Sequence, residues 1–164
     1  MTDARLYIKL DSFSYPDGTV ALADIHLAVA RGEFCGILGA NGSGKTTLLK
    51  IMDGLIREYR GQVLLDGQDV LRLHAREIYR TVGLVFQNPD VQLFSPSVAD
   101  EVAFGPLQLG WPAGEVRDRV AQVLGDMRLS SIADRAPHHL SGGEKTRVEI
   151  ASVLLMHPEV LLLD

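Results

Sequence analysis

The sequence has almost no cysteine, no long apolar run and no excess of positive charge. The single cysteine, Cys35, excludes an intramolecular disulfide and, because it lies in an apolar run, is expected to be buried. The longest apolar runs are far shorter than the about 18 residues that a transmembrane helix needs. Residues 1–5 lack the charged-then-apolar layout of a signal peptide. We therefore expect a cytoplasmic protein whose only route to a membrane is through a partner.

The charge balance also restricts the class of protein. A formal net charge of −5 and a pI near 5.5 argue against nucleic-acid binding driven by bulk charge. Hydrophobic residues make up 46% and charged residues 23% of the 164 residues, which is typical of a folded domain rather than a disordered chain. The five histidines show no metal-ligand spacing with acidic or cysteine partners.

The pattern of apolar residues predicts an α/β protein. Strands are predicted at 6–10, 25–29, 34–38, 61–70 (with a turn at 66–67), 82–86 and 160–163. Helices are predicted at 45–55, 72–80 and 114–124, and from about residue 141. Since strands and helices alternate, we expect a parallel sheet, and a mostly helical insertion occupies the middle of the sequence.

A glycine-rich loop is the strongest chemical signal. The stretch GANGSGKT, residues 39–46, matches G-x-x-x-x-G-K-[ST] and lies between a predicted strand and a predicted helix. In such a loop the backbone N–H groups and the helix dipole bind phosphate. Lys45 then reaches the β- and γ-phosphates, and the Thr46 hydroxyl ligates Mg²⁺.

Two polar residues follow predicted strands. Gln87 comes after the strand at 82–86, and Asp164 ends the apolar run VLLL. Ligands of open α/β sheets bind at the carboxyl ends of strands, so Gln87 is either a contact to Mg²⁺ or the attacking water, or a solvated loop residue. For Asp164 the phosphate loop favours the role of a Mg²⁺ ligand.

Two further features have alternative interpretations. The stretch LSGGE, residues 140–144, is either an anion-binding helix start or a capping box between Ser141 and Glu144. Its place downstream of the phosphate loop, with VLLLD following, favours the first. Tyr15, before the turn sequence Pro-Asp-Gly, is either a residue that stacks on a base or a turn tyrosine.

Taken together, these stretches resemble the ATP-binding subunit of an ABC transporter. SYPDG, GANGSGKTT, VFQNP and LSGGEKTRVEIASVLLMHPEVLLLD carry the resemblance, which runs from about residue 6 to the last residue. LFSPSVADEVAFGPLQLG, residues 93–110, resembles the energy-coupling-factor group, the cobalt, nickel and vitamin importers. The resemblance implies a P-loop NTPase (RecA-like) core with a mostly parallel sheet, an N-terminal antiparallel β portion and a helical insertion.

The resemblance also implies roles for individual residues. Tyr15 would stack on adenine, Lys45, Gln87 and Asp164 would be catalytic, and Thr46, Gln87 and Asp164 would hold Mg²⁺. ATP would contact the following positions: Tyr15, Gly39, Ala40, Asn41, Gly42, Ser43, Gly44, Lys45, Thr46, Thr47, Ser141, Gly142 and Gly143. Ser141 to Gly143 would bind the γ-phosphate of ATP held by a second ATP-binding subunit, in a homo- or heterodimer. The other partner would be a transmembrane coupling subunit that the pair drives from the inner face of the membrane.

Departures from the family pattern define the remaining expectations. Glu144 stands where many members have Gln, and Thr146 stands where a basic residue is common. The catalytic glutamate, the dimer-contacting loop and the switch histidine would follow Asp164, so we expect a C-terminally truncated domain with a gap in its central sheet. Within it, 1–90 and 141–164 would form the nucleotide-binding core and 91–140 the helical subdomain. The alternatives are a non-hydrolysing regulatory module and, less compatible with residues 93–110, a soluble ABC protein of DNA repair or translation.

Overall fold

The computed structural model describes residues 4–164, which form two compact units. The first comprises the described residues up to Ile78, and the second runs from Tyr79 to Asp164. The first contains an antiparallel sheet and the second a parallel strand pair with a layer of helices. This mixed α/β content confirms the predicted fold class.

The first unit is built on a four-stranded sheet. Its strands are β1 (Ala4–Ser14), β2 (Val20–Ala30), β3 (Arg60–Leu65) and β4 (Gln68–Asp69), in the order β2-β1-β3-β4 with every neighbour antiparallel. Ile8 in the central strand lies opposite Leu27 on one side and Val63 on the other, and it is completely buried. The predicted turn after Tyr15 connects β1 to β2, since the N–H of Gly18 donates to the Tyr15 carbonyl at 2.9 Å.

Helix α1 (Lys45–Met52) follows the glycine-rich loop, as the apolar spacing predicts. Its buried residues are Thr47, Leu48, Leu49, Ile51 and Met52. The helix ends three residues before the predicted boundary at 55 because Gly54 adopts a left-handed conformation with φ of +73°. A short helix, α2 (Ala75–Thr81), follows β4 in the chain.

The predicted buried strand at residues 34–38 is wrong. No strand pairs with this segment among residues 4–164, and the side chains of Phe34 and Leu38 are 93% and 96% exposed. Cys35 is exposed as well, against the expectation from its apolar neighbours. An apolar run supplies strand propensity, but a strand also needs hydrogen-bonding neighbours and packed layers on both faces, and none of these is present around 34–38.

The second unit contains a parallel pair of strands, β5 (Val82–Val85) and β6 (Val160–Leu163). Both runs are apolar, as expected of strands that belong to a parallel sheet. They pair in a regular register from Val82 opposite Val160 to Val85 opposite Leu163. The predicted parallel element is therefore present as this pair.

Three helices form the hydrophobic core of the second unit: α3 (Val98–Gln108), α4 (Ala113–Asp126) and α5 (Gly142–Leu154). Short 3-10 turns occur at Pro89–Val91, Ser130–Ile132 and Pro137–His139. Helix α3 was not predicted as an element, because prolines surround it and Pro106 lies inside it. The helix begins with a cap, in which the Ser97 hydroxyl accepts the N–H of Asp100 at 3.1 Å. A serine at this position was the sequence signal that could have predicted the start of α3.

No helix among residues 4–164 is long and apolar enough to cross a membrane.

One buried carboxyl group generates a stability prediction. Burial raises the pKa of Asp53, next to the C-terminal end of α1, from 3.8 to about 7. The charged form is therefore disfavoured in the folded state. The penalty is absent below about pH 4, where Asp53 is protonated whether the chain is folded or not, grows between about pH 4 and 7, and is complete above pH 7.

We expect Asp53→Asn to raise the free energy of unfolding at pH 8 by at most about 4 kcal/mol, and to change it little at pH 4. Urea denaturation at the two pH values measures the difference. Asp11→Asn, at an exposed position of β1, removes the same charge from a solvent-exposed side chain and is the matched control. An equal effect of Asp53→Asn at both pH values would contradict this account.

Candidate functional site

Two glycines of the glycine-rich loop lie close to neighbouring atoms, and at Gly44 the neighbour is backbone. Gly44 has φ of +89°, and a Cβ on it would lie 2.5 Å from the carbonyl oxygen of Ala21. A Cβ on Gly39 would lie 2.5 Å from Oγ of Ser43. The loop closes on itself through a hydrogen bond from the N–H of Ser43 to the carbonyl of Ala40 at 3.2 Å. The predicted phosphate loop is therefore a compact turn directly before α1.

Lys45 is the first residue of α1, and its side chain folds back over this loop. Its Nζ donates to the carbonyl oxygens of Gly39 and Ala40, both at 2.9 Å. The first turn of α1 contains no acidic residue. Its N-terminal amides and the ammonium group make this end of the helix electropositive, which suits a phosphate group.

Tyr15 lies beside the same helix. Its hydroxyl is 2.8 Å from Oγ1 of Thr47, and its ring meets Phe13 edge to face at 5.0 Å. Tyr15 is 40% exposed, so part of the residue is accessible to a ligand. The structure thus brings together two predicted site residues, Tyr15 and Thr47, that are 32 positions apart.

In the second unit, the parallel register of β5 and β6 brings Gln87 and Asp164 to the same edge of the strand pair. The N–H of Asp164 donates to the carbonyl of Val85 at 3.0 Å, two residues before Gln87. Gln87 is exposed and Asp164 is partly exposed. Both predictions of strand-end positions are confirmed.

Ser141 begins α5 with a complete capping box. Its Oγ accepts the N–H of Glu144, and the Glu144 carboxylate accepts the N–H of Ser141 at 2.8 Å. The Ser141 hydroxyl also donates to this carboxylate at 2.6 Å. The hydrogen bonds that the carboxylate accepts, first that from the hydroxyl and then that from the N–H of Ser141, hold the pKa of Glu144 below its usual value. The capping interpretation is thus structurally correct, and it leaves Gly142 and Gly143 exposed at the start of the helix.

Sequence reasoning missed two buried glutamates that support the segment after β5. Oε1 of Glu149 in α5 accepts the N–H of Phe86 at 2.7 Å. Oε2 of Glu101 in α3 accepts the N–H groups of Phe94 and Ser95 at 2.8 and 2.7 Å. The available signal was an acidic residue inside an otherwise apolar helical stretch, as in VEIASVLL.

The residues present fit a nucleoside triphosphate with Mg²⁺. The compact loop, the ammonium of Lys45 and the acid-free helix start suit phosphates, and in the same unit the hydroxyl of Thr46 is an oxygen ligand of the type that Mg²⁺ accepts. In the second unit, Gln87 and Asp164 carry oxygen atoms of the same type. Within residues 4–164, no three His, Cys, Asp or Glu side chains are grouped as a metal site of their own. These features define a nucleotide-binding protein of the P-loop class.

The chain belongs to the ABC transporter family, whose sequence pattern it matches over residues 22–164. It is of the energy-coupling-factor type of ABC ATPase. It is 50% identical to the energy-coupling factor transporter ATP-binding protein EcfA of Methanothermobacter thermautotrophicus, over 93% of this chain and 50% of that protein.

Two further comparisons agree with this assignment. A putative ABC transporter ATP-binding protein of Geobacter sulfurreducens is 61% identical over 98% of this chain and 57% of its own length. The structure of CbiO1 from Clostridium perfringens, part of the ABC transporter complex CbiONQ, has a TM-score of 0.83 and 39% identity, over 99% of this chain and 66% of that one. The chain spans about half the length of the first two relatives.

The loop geometry predicts that Gly44→Ala is more damaging than Gly42→Ala. Both glycines have positive φ, +89° and +81°, but only at Gly44 would the new Cβ collide with backbone. We expect Gly42→Ala to cost about 1 kcal/mol of unfolding free energy from the backbone conformation alone, and Gly44→Ala to cost at least twice that. Denaturant unfolding of the two variants measures the difference, and equal costs would contradict the close approach of Gly44 to Ala21.

Proposed function

We propose that the protein binds ATP with Mg²⁺ and, as part of its transport complex, hydrolyses it to drive import. The observation that carries this proposal is the position of the Lys45 side chain on the glycine loop. Its Nζ lies at hydrogen-bonding distance from two carbonyl oxygens of the loop. An ammonium held there can exchange carbonyl oxygens for phosphate oxygens without moving the loop. ATP supplies the phosphoryl group transferred to water, and Mg²⁺ neutralises its charge.

The proposed roles of the chain's own residues follow the sequence predictions. The loop from Gly39 to Thr46 binds phosphates, Thr47 assists, and the partly exposed Tyr15 stacks on adenine. The hydroxyl of Thr46 is a proposed Mg²⁺ ligand in the first unit. In the second unit, Gln87 and Asp164 are proposed as the oxygen ligands.

A second ATP-binding subunit is the proposed partner of the LSGGE stretch. Gly142 and Gly143 are exposed at the N-terminus of α5, a helix of 13 residues, where the dipole favours a phosphate group. The depressed pKa of Glu144 keeps a negative charge there, so a phosphate approaches through the glycine backbone rather than through the carboxylate. We propose that this end of α5 faces ATP held by the partner copy or its heterodimeric equivalent.

The proposed second partner is a transmembrane subunit, and an apolar cleft in the second unit supports it. The cleft has a volume of about 190 Å³, and its walls include Phe94 and Phe104, which meet edge to face at 4.8 Å. These two side chains remain 67% and 41% exposed, and Oε1 of Gln92 in the same wall is buried without a hydrogen-bond partner. Such a cleft suits a partner segment with apolar side chains and one hydrogen-bond donor.

The transported substrate, the subdomain boundaries and the location are proposed from the sequence. We propose a cobalt ion, a nickel ion or a vitamin as the transported substrate, because residues 93–110 resemble the importers of that group. We also propose 1–90 with 141–164 as the nucleotide-binding core and 91–140 as the helical subdomain. Peripheral attachment to the inner face of the membrane, through the transmembrane subunit, completes the proposal.

The central test removes the ammonium group. Lys45→Met should weaken binding of a fluorescent ATP analogue by at least about tenfold, since a charge-assisted contact to phosphate is lost in a pre-formed loop. Lys50→Met, in the last turn of the same helix, removes the same charge outside the loop and is the control. Unchanged affinity in Lys45→Met would sink the ATP proposal, whereas binding without turnover in the intact complex would favour the non-hydrolysing regulatory module.

The membrane partner is tested at the cleft. The double substitution Phe94→Ser and Phe104→Ser should abolish co-purification with the co-expressed transmembrane subunit and leave binding of the ATP analogue within about twofold. Val91→Ser, which removes another exposed apolar side chain outside the cleft, is the control. Complex formation that survives the double substitution would show that the transmembrane subunit docks elsewhere.

A further inference from the structure

Helix α5 carries two side chains that reach the loop containing Gln87. Oε1 of Glu149 accepts the N–H of Phe86 at 2.7 Å, and Nζ of Lys145 donates to Oδ1 of Asp90 at 2.6 Å. Phe86 and Asp90 stand on either side of Gln87 in the chain. The helix therefore holds the loop at two points, before and after the predicted Mg²⁺ contact.

The spacing on the helix makes this arrangement possible. Lys145 and Glu149 are four residues apart and so lie on the same face, one turn from each other. The same helix begins at Ser141, whose motif is proposed to face ATP of the second subunit. One rigid element therefore connects that motif to the loop of Gln87.

Of the two contacts, the one from Glu149 is the stronger. Glu149 is completely buried, whereas the Lys145 and Asp90 side chains are 18% and 66% exposed. A hydrogen bond from a backbone amide to a carboxylate shielded from water is worth more than an ion pair exposed to solvent. We therefore expect loss of Glu149 to have the larger effect on the loop.

Retaining Glu149 at this position has a cost. Its Oε2 is buried without a hydrogen-bond partner, and burial raises the pKa of its carboxyl group, although the N–H of Phe86 acts in the opposite direction. An apolar side chain buried at this position would not incur that penalty. The stability of the core alone therefore does not explain this residue.

The far end of the same segment is fixed in a similar way. Glu101 of α3 is 4% exposed and binds the N–H groups of Phe94 and Ser95 through one oxygen. Residues 86–95 are thus anchored by a buried carboxyl group at each end. Between these anchors, Asn88 caps the short turn at Pro89–Val91 through the N–H of Asp90, at 3.0 Å.

We propose that Glu149, assisted by Lys145, is a positioning residue for Gln87, and that it fixes the loop of Gln87 to the helix that begins at Ser141. The inference rests on the proposed function, in which Gln87 contacts Mg²⁺. Removing the acceptor at Glu149 releases the backbone immediately before Gln87, so the amide of Gln87 loses its fixed position relative to β5. Outer contacts of this kind typically change metal affinity or activity by about 10- to 100-fold.

The test compares four single variants and one double variant, Glu149→Leu with Gln87→Ala, in the full-length protein assembled with its transport partners. Glu149→Leu removes the acceptor, and Glu149→Gln retains a carbonyl oxygen for the N–H of Phe86. Gln87→Ala defines the loss of the proposed Mg²⁺ contact, and Glu115→Leu, at an exposed position of α4, is the matched control. The measurements are ATP turnover against Mg²⁺ concentration and hydrogen exchange at the amide of Phe86.

We expect Glu149→Leu to lower kcat by about tenfold or more and to raise the Mg²⁺ concentration for half-maximal rate by a similar factor, with KM for ATP within about twofold. Glu149→Gln should restore most of the rate, and Glu115→Leu should change neither value. Adding Glu149→Leu to Gln87→Ala should have little further effect, since the first acts through the second. Full additivity of the two substitutions, or an equal loss in Glu149→Gln and Glu149→Leu, would overturn the proposal.

Hydrogen exchange separates failure of this inference from failure of the proposed function. If the unmodified protein neither binds nor hydrolyses ATP, the proposed function fails, and exchange at Phe86 still reports whether Glu149 holds the loop. Faster exchange at Phe86 in Glu149→Leu, with unchanged exchange in the body of α5, supports the contact in a folded protein. Unchanged exchange at Phe86 would overturn it, whatever the turnover.

Discussion

The pairing of β5 with β6 is the interaction on which the candidate site of the second unit depends. Hydrogen bonds between parallel strands fix which residues emerge together at the carboxyl edge, and here the N–H of Asp164 bonds to the carbonyl of Val85. A shift of one residue would turn the buried face of either strand toward solvent. The register thus places Asp164 near the start of the loop that contains Gln87, and α5 supports the same edge through Glu149.

The first unit solves a different physical problem, which is how to present backbone groups to an anion. A helix start already has unpaired N–H groups, and the loop before α1 adds a turn that a side chain at Gly44 would block. Lys45 then occupies the carbonyl oxygens of the loop, so the ammonium group is held close to where phosphate would bind. The antiparallel sheet positions Tyr15, which directly follows β1. It also positions Ala21 of β2, whose carbonyl oxygen lies close to Gly44.

Much of this was predictable because local rules determine it. The alternation of apolar and polar residues predicted β1 and β2. The glycines predicted the loop and the end of α1, and the stretch LSGGE predicted the start of α5. Sequence rules failed where an element depends on neighbours distant in the chain. The segment 34–38 has the composition of a buried strand but pairs with no strand among residues 4–164. Helix α3 forms despite Pro106 because its apolar face packs into the core of the second unit. The contact of Glu149 with Phe86 spans 63 positions, and no local pattern identifies its partner.

Several departures from ordinary folding rules lie in segments that carry predicted site residues, in each of the two units. Exposed Phe34 and Leu38 immediately precede the glycine loop, exposed Phe94 lies at the end of the Gln87 loop, and buried Glu149 holds that loop at its beginning. Each of these features lowers the stability of the fold, because apolar surface is left in contact with water or a carboxyl group is removed from water. Comparable costs occur elsewhere in the described residues, since Val20 is 64% exposed and burial raises the pKa of Asp53 to about 7. A departure of this kind therefore points to a functional position only together with a specific contact, such as that between Glu149 and the N–H of Phe86.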